Sequence, residues 1–120
     1  MKIAVTSTGK TLESAIDPRF GRAPYILIIE TDDGKLLEAI DNAENSGAFR
    51  GAGIQAAKAV ADRKVGVLLT GHCGPNAFSA LEAAGVKVGT EQKGTALDAI
   101  ERFKKNEIVF AGKPNAEAHW

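Results

Sequence analysis

The stretch Val65–Val88, VGVLLTGHCGPNAFSALEAAGVKV, decides the fold. Val65-Gly-Val-Leu-Leu69 is an apolar run of strand length, and Gly71 to Gly74 reads as a loop. Pro75 stands where proline favours the first position of a helix. Ala77, Phe78, Leu81 and Ala84 then share one helical face, Gly85 stops the helix, and Val86 to Val88 reads as another strand. A strand, a helix and a strand in succession require parallel strands joined by a right-handed crossover.

On the carboxyl side, Thr95-Ala-Leu-Asp98 has the form of a capping box, and Leu97, Ile100 and Phe103 make a helical stripe that runs to about Lys105. On the amino side, Lys2 to Thr6 alternates as a strand and leads into a long polar loop containing Asp17-Pro-Arg-Phe-Gly-Arg-Ala23. Tyr25 to Ile29 and Lys35 to Ile40, joined by the turn signal Asp33-Gly34, predict an antiparallel hairpin. Asn42 to Gly53 is polar and carries three glycines. After it, Ile54, Ala57, Val60 and Ala61 recur at helical spacing, opposite Gln55, Lys58, Asp62 and Arg63. The reading is one α/β domain over residues 1–105, with a mixed five-stranded sheet and about three helices, followed by a weakly patterned tail at 106–120.

Composition narrows the function. A chain of 120 residues lies in the usual range for one self-sufficient core. Lys plus Arg and Asp plus Glu number 15 each, so no basic field extends toward nucleic acid or anionic lipid. The lone cysteine cannot make an internal disulfide, and the chain starts with a strand instead of a signal segment, which suits a reducing cytoplasm. No apolar run approaches the roughly 18 residues of a membrane span. Small size without heptads favours a soluble monomer.

Topology gathers the chemistry. With the first, third and fourth strands parallel, the loops Thr6–Ala23, Asn42–Gly53, Gly71–Gly74 and Gly89–Gly94 meet at the carboxyl edge, where open α/β sheets bind ligands. GHCGPNA would then face DPRFGRA and a glycine-rich loop across one crevice.

DPRFGRA at 17–23, Asn45, Gly51-Ala-Gly53, and Gly71-His-Cys-Gly-Pro-Asn-Ala77 followed by Leu81 and Ala84-Gly85 together resemble the dinitrogenase iron-molybdenum cofactor biosynthesis family. This is the small domain of NifX, of the carboxy-terminal part of NifB and of many stand-alone proteins. The resemblance covers roughly Met1 to Lys105. It implies a ribonuclease-H-like α/β fold, and it implies that some members bind or carry iron-sulfur, iron-molybdenum or molybdenum-copper clusters.

Each motif also has a purely structural reading. His72 and Cys73 are borderline-soft ligands suited to iron, zinc or copper. Two ligands are too few for a closed zinc site, and one cysteine cannot hold a four-cysteine iron-sulfur cluster. A preassembled anionic cluster, which needs one or two ligands and a complementary pocket, remains. The alternative is that Cys73 packs under the helix start and His72 bonds backbone. The helix start at Pro75 would attract an anion and depress the pKa of a nearby thiol. Arg19 and Arg22 offer positive charge and Gly21 offers close approach, whereas Asp17 can pair with an arginine and Phe20 can plug the core. Asn45, Ser46, Gly47, Arg50, Gly51 and Gly53 suggest a loop able to close over a ligand. His119 and Trp120 belong to the tail.

The candidate binding residues are therefore Arg19, Gly21, Arg22, Asn45, Gly53, Gly71, His72, Cys73, Gly74 and Asn76, with His72 and Cys73 as candidate metal ligands. The leading expectation is a non-catalytic carrier or storage protein for a metal-sulfur cluster, serving cluster-assembly or acceptor proteins. The competing one is a thiol enzyme with Cys73 as nucleophile and His72 as base, which is weakened because adjacent side chains in extended backbone point apart. A regulatory or interaction module docking through the tail stands third.

Overall fold

The computed structural model describes residues 1–42 and 51–115. Among the described residues five strands and three helices follow in the order β1 (Lys2–Ser7), β2 (Tyr25–Glu30), β3 (Lys35–Asp41), α1 (Ala52–Asp62), β4 (Val67–Leu69), α2 (Pro75–Ala83), β5 (Lys87–Gly89) and α3 (Ala96–Lys104). The sheet order is β3-β2-β1-β4-β5. β2 runs antiparallel to β1 and β3, while β1, β4 and β5 are mutually parallel. This is the mixed five-stranded α/β domain expected from the hairpin and the two crossovers, and it is consistent with the ribonuclease-H-like layout that the resemblance implies.

Strand alternation sorts the core into two layers. Ala4, Ile26, Ile28, Leu68 and Val88 face α1 and α2, against Ala56, Ala57, Val60, Ala77, Phe78 and Leu81. Ile3, Val5, Leu27, Ile29, Val67 and Leu69 face α3, against Ala96, Ala99 and Ile100. Neither layer is open to water, so the sheet is a rigid floor whose chain ends present the loops. No helix among the described residues is long and apolar enough to cross a membrane.

Several helix faces differ from the sequence expectation. α1 starts at Ala52, so Gly53 lies inside its first turn, not in the preceding loop. Its buried residues are Ala52, Ala56, Ala57 and Val60, whereas Ile54 is 46% exposed. Alanine permits the close approach of α1 to α2 and the sheet, and the larger Ile54 is turned out. Leu97 likewise points outward at 42% exposure, while Ala96, Ala99 and Ile100 face the sheet. Ala84, the C-cap of α2, is exposed. β4 spans only Val67–Leu69 of the apolar run, although the Gly66 N–H already donates to Lys2 O at 3.0 Å.

α3 carries the expected capping box. Thr95 Oγ1 accepts from the Asp98 N–H at 3.1 Å, and the Thr95 N–H donates to Asp98 Oδ2 at 2.9 Å. Thr95→Ala removes one of these bonds from an exposed helix start and is expected to cost about 1 kcal/mol in urea unfolding. An unchanged midpoint would mean that sheet packing alone sets the position of α3.

Candidate functional site

β1, β3, β4 and β5 end at one edge of the sheet and β2 begins there, so the loops do meet at the carboxyl edge. DPRFGRA and GHCGPNA do not face each other across a crevice, however; they are joined side by side. The His72 N–H donates to Pro18 O at 2.6 Å and the Phe20 N–H to His72 O at 3.0 Å, forming a parallel bridge between Arg19 and His72. The cause lies below, where β1 and β4 are parallel neighbours. The buried hydroxyls Thr6 Oγ1, near the end of β1, and Thr70 Oγ1, just past β4, are 2.8 Å apart, and Thr6 Oγ1 also donates to Asp17 O at 2.8 Å. Pairing therefore continues past the strands. The Gly89–Gly94 loop joins them as expected, with the Glu91 N–H donating to Gly71 O (2.8 Å) and the Gln92 N–H to Thr70 O (3.0 Å).

Within DPRFGRA, the structural readings of Asp17 and Phe20 hold. Phe20 is fully buried in the layer under α1 and α2. Asp17, 4% exposed, accepts from the Arg19 N–H (2.9 Å), Nε (3.3 Å) and Nη2 (3.2 Å). The hydrogen bonds and the charge of Asp17 raise the pKa of the Arg19 guanidinium. Arg19 thus brings its charge to the edge already shared with a carboxylate. Gly21 adopts φ +95°, the left-handed turn that glycine enters without strain. Arg22 is half-buried beside it. Asn42, which the sequence reading passed over, is 1% exposed and pins this turn, its Nδ2 donating to Ala23 O (2.8 Å) and Gly21 O (3.3 Å). Asn45, Ser46, Gly47 and Arg50 lie outside the described residues.

In GHCGPNA the two soft side chains part. His72 is half-buried at the surface, while Cys73 is wholly buried among Ala56, Ala57, Ala77 and Phe78. Burial pushes the Cys73 thiol up to about 12, the reverse of the depression expected at a helix start. The Sγ lies in the apolar layer, 3.8 Å from Gly74 O, and loss of hydration holds the proton on sulfur. Among the described residues no group of three or more His, Cys, Asp or Glu side chains converges to hold a metal ion. Gly74 is the extended N-cap of α2, and Asn76 is exposed in its first turn.

Two further features escaped the sequence. One is Asn115, whose carboxamide reaches back to Gly71, His72 and Cys73. The other is a contrast among helix starts at the same edge. α3 begins with a capping side chain and an acidic residue in its first turn. α1 and α2 begin at Gly51 and Gly74, N-caps that offer no side chain, and among the described residues neither has an acid in its first turn. An uncapped first turn presents N–H donors and a partial positive charge of roughly half a unit. The αL conformation of Gly51, φ +78°, lets α1 start without a capping side chain.

The fold is a small open α/β domain whose carboxyl edge, where such sheets usually bind ligands, carries the starts of α1 and α2. The profile of the dinitrogenase iron-molybdenum cofactor family matches residues 1–106, and the chain belongs to that family. Among solved structures it is similar to the apo form of the orange protein from Desulfovibrio gigas, with 41% identity, 96% of each chain covered and a TM-score of 0.92. A candidate NifB protein from Thermotoga is 33% identical over 97% of each chain, with a TM-score of 0.82. A candidate dinitrogenase from Methanocaldococcus jannaschii shares the fold at 14% identity, covering 95% of this chain and 97% of that one, with a TM-score of 0.70. No curated protein matches the chain.

Proposed function

We propose that this protein is a non-catalytic carrier or storage domain for a preassembled, anionic metal-sulfur cluster of the iron-molybdenum, iron-sulfur or molybdenum-copper type, held at the carboxyl edge and passed between cluster-assembly and acceptor proteins. The observation that carries this reading is the pair of uncapped helix starts of α1 and α2, set beside a capped α3. Leaving two positive helix ends without acids or caps at one edge favours an anion there. Membership of the iron-molybdenum cofactor family supports a cluster over other anions.

The cluster brings its own sulfides, so the protein need not supply a closed ligand set. Gly74 and Gly53 bring side-chain-free backbone to the helix starts, Asn76 lies in the first turn of α2, and Arg22 and the part of the Arg19 charge that Asp17 does not take add positive charge at the same edge. His72, half-buried at the surface beside Asn115, is the side chain of the pair nearer to water and the first candidate ligand. Cys73 can coordinate only once its loop lifts and the thiol gives up its proton.

Anaerobically purified protein is expected to take up a synthetic molybdenum-iron or molybdenum-copper sulfide cluster with one-to-one stoichiometry in metal analysis and visible absorption. Affinity should fall as ionic strength rises, because the edge offers charge more than coordination. Loss of uptake in His72→Ala would add direct ligation to that picture. Wild-type protein that takes up no cluster at low ionic strength would remove the carrier reading.

A further inference from the structure

After α3 the chain turns back along β5. Phe110 bridges Gly89 in antiparallel fashion, and the Ala111 N–H donates to Val88 O at 2.8 Å. Asn115 then lies along GHCGPNA. Its backbone N–H donates to Cys73 O at 3.0 Å, and its Oδ1 accepts from the Cys73 N–H at 2.8 Å. Its Nδ2 donates to Gly71 O at 3.1 Å and stands 3.4 Å from His72 Nδ1. One residue therefore holds three consecutive residues of the loop.

Ile108 and Ala111 pack against the two core layers and Phe110 lies under Lys87 Nζ at 5.5 Å, so the segment is seated as far as Ala111; beyond it the contacts are polar and shallow. Gly112, Lys113 and Asn115 are exposed. Segments with few buried apolar contacts and solvent-facing hydrogen bonds open at far lower free energy than the core. GHCGPNA itself is anchored on its other side by the His72 N–H to Pro18 O and by the N–H of Phe20, a residue fully buried in the core, to His72 O. The two attachments of the loop thus differ in strength, and the weaker one is the tail.

We propose that residues 112–115 are a detachable strap with Asn115 as its latch, hinged on the seated Ala111, and that its release, without any opening of the core, frees the backbone of residues 71–73 for a ligand. The opening of the strap stands on its own contacts; the ligand it admits rests on the carrier reading above.

Amide hydrogen exchange by NMR on the full chain tests the latch directly, because Asn115 Oδ1 is the acceptor of the Cys73 N–H. The Cys73 and Asn115 amides are expected to exchange together, at least about 100-fold faster than Leu68 in the central strand β4. Asn115→Ala should speed Cys73 exchange by about tenfold or more and leave Leu68 within about twofold. Cys73 exchanging at the rate of Leu68, or both amides accelerating equally in the variant, would overturn the proposal, since the tail would then be an integral part of the core. A second arm uses tetrathiomolybdate as a small anionic metal-sulfide probe in stopped-flow absorption. Association about tenfold faster in Asn115→Ala is expected when release limits access, and an equal or slower rate would overturn the gating role. If neither protein binds the probe, the failure falls on the carrier reading, and the exchange rates alone decide the latch.

Discussion

Replacing Gly71 by alanine is expected to destabilise the protein by about 3 kcal/mol, the upper part of the usual range for forcing extra atoms into a packed site. A Cβ on Gly71 would lie 2.6 Å from Pro18 Cα, 2.7 Å from Pro18 O and 2.8 Å from Pro18 Cβ. Two of these atoms are backbone, and that backbone is tied on each side. Pro18 O accepts from the His72 N–H at 2.6 Å, while the neighbouring Asp17 N–H donates to Thr6 O at 3.1 Å. Relief must come from parting the DPRFGRA and GHCGPNA segments, so the Gly71→Ala protein should lose cluster uptake along with stability. Gly66 supplies the control. An added Cβ there meets Met1 Cε at 2.7 Å, the far end of a flexible side chain that can swing away. Gly66→Ala should therefore stay within about 1 kcal/mol of wild type in urea unfolding. Equal losses in the two variants would show that crowding at the edge is relieved as easily as at Met1, and that the joined segments are not rigid.

The same joined segments explain what the sequence could and could not reveal. Strand positions were legible because β-branched runs such as Tyr25–Ile29 carry their own period, and the Asp33-Gly34 turn and the Thr95 capping box are local signals. The buried side of α1 was not. Its sequence AGIQAAKAVAD is so rich in alanine that hydrophobicity barely distinguishes one face from another, and the reading settled on Ile54 where packing chose Ala56. The carboxyl edge as the meeting place of the loops followed from topology alone. The opposite orientations of His72 and Cys73 did not become concrete until their register against Pro18 and Phe20 was known, which depends on residues more than fifty positions away. Asn115 left no trace in any window, since a single carboxamide bonding across 42 residues has no periodicity to detect. Had its reach been visible, the tail would have read as part of the site.

Raising the pH should destabilise the wild-type protein through Cys73 more steeply than any other single buried group described here. The folded thiol, pushed up to about 12 by burial, loses its proton far later than an unfolded cysteine with an ordinary value of 9.0. Below pH 9 both states hold the proton and stability is independent of it. Above pH 9 the unfolded chain sheds the proton and the folded chain keeps it, so stability falls with rising pH, by about 1.4 kcal/mol per unit, until the folded value is reached. Urea midpoints of wild type and Cys73→Ala between pH 8 and 10.5 isolate this contribution, because the thiol is the one ionisable group by which the two proteins differ. The wild-type curve should drop away from the variant above pH 9; parallel curves would mean that the thiol reaches water in the folded state. The outcome also separates the functional readings. A nucleophile or ready ligand must be a thiolate near neutral pH, whereas the burial of Cys73 favours the thiol. A falling wild-type curve therefore argues against a thiol enzyme. It would assign first capture of a cluster to the helix starts, the arginines and His72, with any Cys73–metal bond formed later, by a slower step that releases a proton and accelerates with pH. Parallel curves would return Cys73 to the first step and make uptake by Cys73→Ala the decisive comparison.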